Sequence, residues 1–246
     1  MTISVITVSF NSSATIQNTF DSVRSQTFKN IEYLVIDGNS SDGTVEIIKS
    51  NSDIINFWIS EKDRGLYDAI NKGIQKATGD YIAILNSDDT FYSENTLAEM
   101  AAFIEYNGFP SAVLGDIVQH NGKKTIRRYS AAKWKPADLK NGFMPPHPAV
   151  FIKKEIYDRL GTYRMGYKIG ADYELLIRFF LKNQLDYKYS GIITTSMLTG
   201  GASSSGLRSY NIITKEIGQA FAQNGMAYSH FRVYTRIFSK VWEYLR

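Results

Sequence analysis

Cysteine is absent from this 246-residue chain. That excludes a disulfide framework and a thiolate metal site, and it fits a reducing compartment. Histidine is scarce, with three in all. No apolar run approaches the length of a membrane span. The N-terminus lacks a charged region followed by a signal-type core, so Met1 leads directly into a first strand and a cytoplasmic protein is expected. There is no internal repeat, no low-complexity segment and no glycine-rich phosphate loop ending in Lys-Ser/Thr. Charge of either sign is nearly balanced. The formal excess of +4 lies entirely in Arg208–Arg246, which holds six Lys/Arg against two Glu. Basic residues confined to that tail, with no recognised motif, give nucleic-acid binding little support.

What is present is a large core: 43% of residues are hydrophobic and 13% aromatic, enough for one large α/β domain or a domain with an appendage. Ile3 to Phe10 reads as a strand, and Asn11, Ser12 and Ser13 offer capping oxygens to a helix carrying Ile16, Phe20 and Val23. Ile31 to Ile36 is the next strand and ends at Asp37, before a polar loop and a short helix. A third strand is expected over Ile54 to Ser60. The loop from Glu61 to Gly65 then leads into a helix with Leu66, Ile70, Gly73, Ile74 and Ala77 on one apolar face. Alternation at this spacing argues for a parallel sheet with right-handed crossovers, which places Asn11, Asp37, Asp63 and the Asp88/Asp89 pair on one edge.

The organising stretch is Tyr81 to Asp89. Its apolar half is too short for a helix and reads as a strand buried on both faces. Asp88 and Asp89 follow it, at the edge where open α/β sheets bind ligands. Adjacent ionised carboxylates repel unless a cation or donors compensate, so a hard divalent ion such as Mg²⁺ or Mn²⁺ is the natural partner; a turn with solvated aspartates is the plain alternative.

Beyond a soft boundary near Ser111 the pattern changes. A strand from Ala112 precedes Asn121-Gly122, a two-residue hairpin signal. Lys133 to Gly142 is expected as loop. Met144-Pro145-Pro146-His147-Pro148 is stiff because three prolines fix φ around one histidine. Val150 to Ile152 and Tyr187 to Thr195 read as strands, with a helix between them that begins near Ala171 and has Asp172 in its first turn. Leu198 to Gly206 reads as a polar, mobile loop. The tail divides at Asn224-Gly225 into two helices. In the second, Phe231, Tyr234, Phe238, Val241, Trp242 and Leu245 form an apolar stripe opposite Arg232, Arg236 and Lys240. Such a helix either packs its stripe on the domain or docks on an anionic membrane.

These residues resemble a known family. Thr7-Val8-Ser9-Phe10-Asn11, Ile36-Asp37-Gly38-Asn39-Ser40-Ser41-Asp42-Gly43-Thr44, Asp63-Arg64-Gly65-Leu66-Tyr67-Asp68-Ala69-Ile70-Asn71-Lys72-Gly73 and Asn86-Ser87-Asp88-Asp89 are similar, in order, to the family 2 (GT-A fold) bacterial glycosyltransferases. His147-Pro148-Ala149-Val150-Phe151 and Gly170-Ala171-Asp172-Tyr173-Glu174 through Arg178 continue the likeness. The resemblance covers about residues 3 to 205 and points to polysaccharide synthesis of the capsule, exopolysaccharide or O-antigen type.

It implies a GT-A fold with a Rossmann-like nucleotide-sugar half at 1–110, a mixed-sheet acceptor half at 111–207 and a basic helical tail at 208–246. It implies an inverting transfer from a nucleotide-diphosphate sugar, with UDP as the expected nucleotide, to a hydroxyl of a glycan or lipid-linked glycan. Asp89 is then the Mn²⁺ or Mg²⁺ ligand, and Asp88 lies near the ribose or donor sugar. Val8, Asn11, Asp37, Asp63 and Asn71 belong to the nucleotide pocket. Asp172 is the general base, and its first-turn position is expected to favour the ionised form. Glu174 is a spare candidate. His147 is expected to complete the metal shell or bind diphosphate, although a lone histidine is more often structural. Gly200-Gly201-Ala202-Ser203 is expected either to close over the donor or to serve as a plain connector. One departure stands out: many members have two adjacent Asp where this chain has Asp37-Gly38. The basic tail and a lipid diphosphate acceptor together suggest a protein peripheral on the inner face of the cytoplasmic membrane. Two other classes stay open. A nucleotidyltransferase using Asp88 and Asp89 would release pyrophosphate, and a non-catalytic binding module would hold UDP without turnover.

Overall fold

Every residue of Ile3–Ser9 (β1) is buried. A strand buried on both faces must have neighbours on either side and helices above and below. The computed structural model describes residues 1–122, 124–199 and 207–235. In it β1 pairs in parallel with β2 (Ile31–Asp37) and β4 (Tyr81–Ile84), and β2 pairs in parallel with β3 (Phe57–Ser60). The crossovers are α1 (Ile16–Arg24), α2 (Thr44–Ser50) and α3 (Leu66–Lys76). Four parallel strands put their carboxyl ends on one edge, as the alternating pattern requires. Helix α3 lies close on β1 because Gly73 has no side chain: a Cβ there would sit 2.5 Å from Cγ2 of Ile6.

After β4 the sheet becomes mixed. Its order is β3-β2-β1-β4-β8-β6-β9-β5, with β7 on β6. The added strands are β5 (Asp89–Phe91), β6 (Ala112–His120), β7 (Thr125–Tyr129), β8 (Val150–Lys153) and β9 (Tyr187–Leu198), with α4 (Thr96–Tyr106) and α5 (Lys154–Leu160) beside them. The expected hairpin at Asn121-Gly122 is the β6–β7 turn. Residues 1–132, 146–162 and 186–199 form one compact unit that contains the whole sheet.

The second unit comprises 133–145, 163–185 and 200–246. Pro136–Asn141 is a 3-10 helix, not the loop expected there; proline opens it and Gly142 closes it in the left-handed conformation. Helix α6 (Ala171–Leu176) runs on into one π-helical segment, Ile177–Lys182. Its apolar face matches the expected one, since Leu175, Leu176, Phe179 and Phe180 are all buried. Phe180 meets Trp134 edge-on at 5.5 Å. Helix α7 (Leu207–Gln223) buries Ile217, Ala220 and Phe221. It is part of this unit's core, so deleting everything from Arg208 would remove more than a surface tail. A helical segment follows at 230–235. The rest of the expected amphipathic stripe and the Gly200-to-Ser203 loop lie outside the described residues. No helix of the described residues is long and apolar enough to cross a membrane.

Three local expectations are corrected. The third strand starts at Phe57, not Ile54, because residues 51–54 turn. Leu66 stays half exposed at 49% and does not join the apolar face of α3. Helix α1 has no side-chain cap; the Ser12 carbonyl accepts the Thr15 and Ile16 amides, while the side chains of 11–13 bond elsewhere.

Candidate active site

In the sheet-bearing unit, the ends of β1, β2 and β3 are knotted together by one carboxylate. Asp37 is completely buried. Its Oδ1 accepts from Ser9 Oγ at 2.9 Å and from Ser40 Oγ, and its Oδ2 accepts from the Ser40 amide at 2.9 Å and Ser60 Oγ at 2.6 Å. Four donors fill the lone-pair directions of a carboxylate. Asp37 therefore shapes the edge that the nucleotide pocket would use. Its three serines were not singled out from the sequence, although each stands at or just past a strand end.

Asn11 adopts φ 49° and stitches the first loop to the second: its amide donates to Ser40 Oγ at 2.8 Å, and its Oδ1 accepts the Ser41 amide at 3.0 Å. Asp42 accepts from Thr44 and from the Ser13 amide, and these bonds, led by Thr44, hold its carboxyl well below the usual range. Val8 is buried in the strand, opposite Ile36, so its side chain faces the core. Asn71 is buried on α3.

Asp63 explains the departure at Gly38. Asp63 Oδ1 accepts the Gly65 amide at 2.8 Å. A Cβ on Gly38 would lie 2.6 Å from Asp63 Oδ2 and 3.3 Å from the Phe10 ring. The space that a second carboxylate would enter is thus filled from the β3 side by Asp63. Any side chain at 38 would have to displace it.

The acidic pair sits on the turn between β4 and β5. Strand β4 stops at Ile84, and Asp89 opens β5 opposite Met197 of β9. Ser12 Oγ and Ser87 Oγ, 2.8 Å apart, tie this turn to the first loop. Asp88 is exposed, whereas Asp89 is 1% exposed. Among the described residues only Asn86 Nδ2, at 3.0 Å, donates to the Asp89 carboxylate. Burial, then the neighbouring Asp88 charge, pushes Asp89 up to about 7. An enclosed carboxylate short of donors beside an exposed one suits a hard cation. No cluster of three His, Asp or Glu that could hold a metal occurs among the described residues. Asp89 and Asp88 are the residues here that would hold such an ion. His147 opens the short 3-10 turn His147–Ala149 before β8, and burial lowers its pKa to about 4, so it is neutral near pH 7. The structure does not gather it into a three-ligand site with Asp88 and Asp89.

In the second unit, Asp172 is half-buried in the first turn of α6, and its Oδ1 accepts the Tyr173 amide at 2.7 Å. Loss of water outweighs that bond, and with a smaller push from Glu216 it raises the carboxyl to about 7. This reverses the expectation that the first turn would favour the ionised form. Glu174 points the other way: it is fully buried and held by Arg178 Nε at 3.1 Å and a second Arg178 nitrogen at 3.0 Å, with Arg164 at 3.2 Å. A carboxylate so paired is a structural anchor and not a free base.

The glycosyl transferase family 2 profile matches residues 4–197. The chain belongs to that family. It is 30% identical over 200 residues to a PGL/p-HBAD biosynthesis glycosyltransferase of Mycobacterium bovis, a match that spans 78% of this chain and 75% of the relative. Among solved structures it resembles TarS 1-349 of S. aureus in complex with UDP-GlcNAc, with a TM-score of 0.71 and 18% identity, over 95% of this chain and 69% of that one. It also resembles the mannosyltransferase PcManGT of Pyrobaculum calidifontis in complex with GDP-Man and Mn²⁺, with a TM-score of 0.65 and 18% identity, over 90% of this chain and 63% of that one. The family 2 chain described here is a glycosyltransferase with the GT-A fold.

Proposed function

We propose that this glycosyltransferase transfers a sugar, with inversion, from a UDP-sugar to a hydroxyl of a glycan or lipid-linked glycan in bacterial surface polysaccharide synthesis. The observation that carries the reading is the enclosed Asp89 beside the exposed Asp88, where the turn after β4 enters β5 in a family 2 fold. As the bond from the anomeric carbon to diphosphate breaks, negative charge builds on the leaving group. A Mn²⁺ or Mg²⁺ ion held by Asp89, with Asp88 beside it, would supply Lewis-acid stabilisation of that charge. Asp37 and Asn11 fix the two loops of the nucleotide edge, and Asp63 presents its Oδ2 there. Asp172 takes the acceptor's proton. TarS, bound to UDP-GlcNAc, supports a UDP donor, while PcManGT, bound to GDP-Man, makes GDP the comparison to run.

Calorimetric titration of UDP tests this, with and without Mn²⁺, on the native chain and on Asp89→Ala. The expected result is Mn²⁺-dependent binding that Asp89→Ala weakens at least tenfold. Folded protein that binds GDP and not UDP would overturn the donor assignment.

A lipid-linked acceptor is favoured by the segment 230–235, where Phe231 and Tyr234 are 78% and 65% exposed beside the exposed Arg232. Sedimentation with anionic vesicles should fall severalfold in Phe231→Ser/Arg232→Ser. Unchanged sedimentation would remove the membrane from the reading.

A further inference from the structure

We infer that Glu216, on α7 and beyond the stretch matched by the family profile, is a positioning residue for Asp172. The inference rests on the proposed role of Asp172 as base. Glu216 is 7% exposed. Its Oε1 accepts the Lys168 amide at 2.6 Å, and its Oε2 accepts the Ile169 and Gly170 amides at 3.1 and 2.8 Å. Three consecutive main-chain amides turned on one anion form a nest, a geometry that backbone adopts around an oxyanion. Here the anion is a side chain of the same unit, so the turn 168–170 is fixed before any substrate arrives.

That turn leads directly into the helix that carries Asp172. The Gly170 amide is held by Glu216, and its carbonyl accepts the Glu174 amide at 3.1 Å in the first turn of α6. A Cβ on Gly170 would lie 3.1 Å from Glu216 Oε2 and 3.2 Å from Glu216 Cβ, so glycine lets the carboxylate close on the main chain. Just past the end of α7, Asn224 Nδ2 donates to Glu174 Oε1 at 3.0 Å. Helix α7 and the turn after it thus grip α6 both ahead of Asp172 and beyond it.

Glu216 also bears on Asp172 by charge. Within this unit Glu174 is paired with Arg178 and Arg164, while the negative charge of Glu216 opposes ionisation of Asp172. A negative charge in this place acts on Asp172 whatever else it does, so the positioning role is read from kcat with the charge kept, as in Gly170→Ala.

The test uses the full chain and its Glu216→Gln, Gly170→Ala and Asp172→Asn variants. It measures Mn²⁺-dependent UDP binding, kcat and donor KM for UDP release from the best UDP-sugar of a panel, and a ¹³C carboxyl titration of Asp172. For Glu216→Gln the expected result is UDP affinity and donor KM within twofold of native and kcat down about tenfold. Its Asp172 midpoint should also move below the native value, because a negative neighbour has gone. Gly170→Ala keeps the charge and displaces it by tenths of an ångström, so kcat should fall severalfold with the midpoint unmoved. Native kcat in Glu216→Gln would overturn the inference, whatever the midpoint does. Should that variant fail to fold, native kcat in Gly170→Ala would overturn it. Asp172→Asn separates the two readings: native turnover there would overturn the base assignment and this inference together. An inactive Asp172→Asn beside a fully active Glu216→Gln would overturn this inference alone.

Discussion

Asp172→Asn is expected to lower turnover by roughly 10²–10⁴-fold while leaving UDP affinity unchanged, the range that positioned general bases contribute. Asparagine keeps the Oδ1 that accepts the Tyr173 amide, so the first turn of α6 stays as it is. What it loses is the group that can take a proton. In the native chain that group ionises near pH 7, so kcat at saturating donor and metal should rise as pH increases through about 7. The variant should show no such limb.

The same carboxyl makes a stability prediction. Its folded pKa lies above the unfolded value of roughly 4, so the folded state holds the extra proton. Stability from this group is complete below that unfolded value and is lost as pH rises through about 7. At pH 8 Asp172→Asn should therefore melt no lower than the native chain, with any advantage shrinking as the pH falls. Native turnover in the variant, or a strong fall in its melting temperature at pH 8, would sink the assignment.

Arg178→Met is expected to cost about 3–5 kcal/mol of stability, the usual consequence of breaking a buried ion pair from one side. Arg178 is 6% exposed and Glu174 is fully buried. Methionine replaces the aliphatic stem and leaves Glu174 with Asn224 and with Arg164, whose side chain is 38% exposed. Those partners cannot match the lost two-pronged guanidinium contact. Glu174→Leu/Arg178→Met should recover part of the loss, because no carboxylate remains stranded. Urea titration followed by tryptophan fluorescence reads this, since Trp134 packs on Phe180 in the same unit. A loss under about 1 kcal/mol would mean that Arg164 and water suffice.

The first half of the fold was legible because β1, β2 and β4 are buried on both faces and so appear as short apolar runs between helical periods. The acidic pair was legible for the same reason, since charge directly after such a run is conspicuous. Strand β5 was not legible, because its three residues are set by pairing with β9, whose partners lie about 105 residues on. The expected parallel edge was right for the strands. The aspartate chosen as ligand nevertheless opens β5 and does not end β4. Asp37 was found as a strand-end carboxylate, but its serine donors come from three separate segments, and only folding brings them together.

Glu216 left one faint sign. It lies beside Ile217 and four residues before Ala220 in α7, a carboxylate on a face that is otherwise buried. Glu174 and Arg178, four apart on one helix, had the spacing of an ion pair. Reading the pair would have excluded Glu174 as a base from the sequence alone.

Strand β9 lies between β6 and β5, and among the described residues β5 has no other partner in the sheet. The segment that begins with Asp89 therefore acquires its strand pairing only after residues 195–197 have left the ribosome. Chain synthesis delivers the nucleotide-edge loops of β1 to β3 first, and about a hundred residues must follow before β5, which leads out of the acidic turn, is paired. Long-range pairing of this kind is slow and leaves apolar surface open meanwhile. Nascent chains ending before residue 195 are thus the ones a holding chaperone would meet.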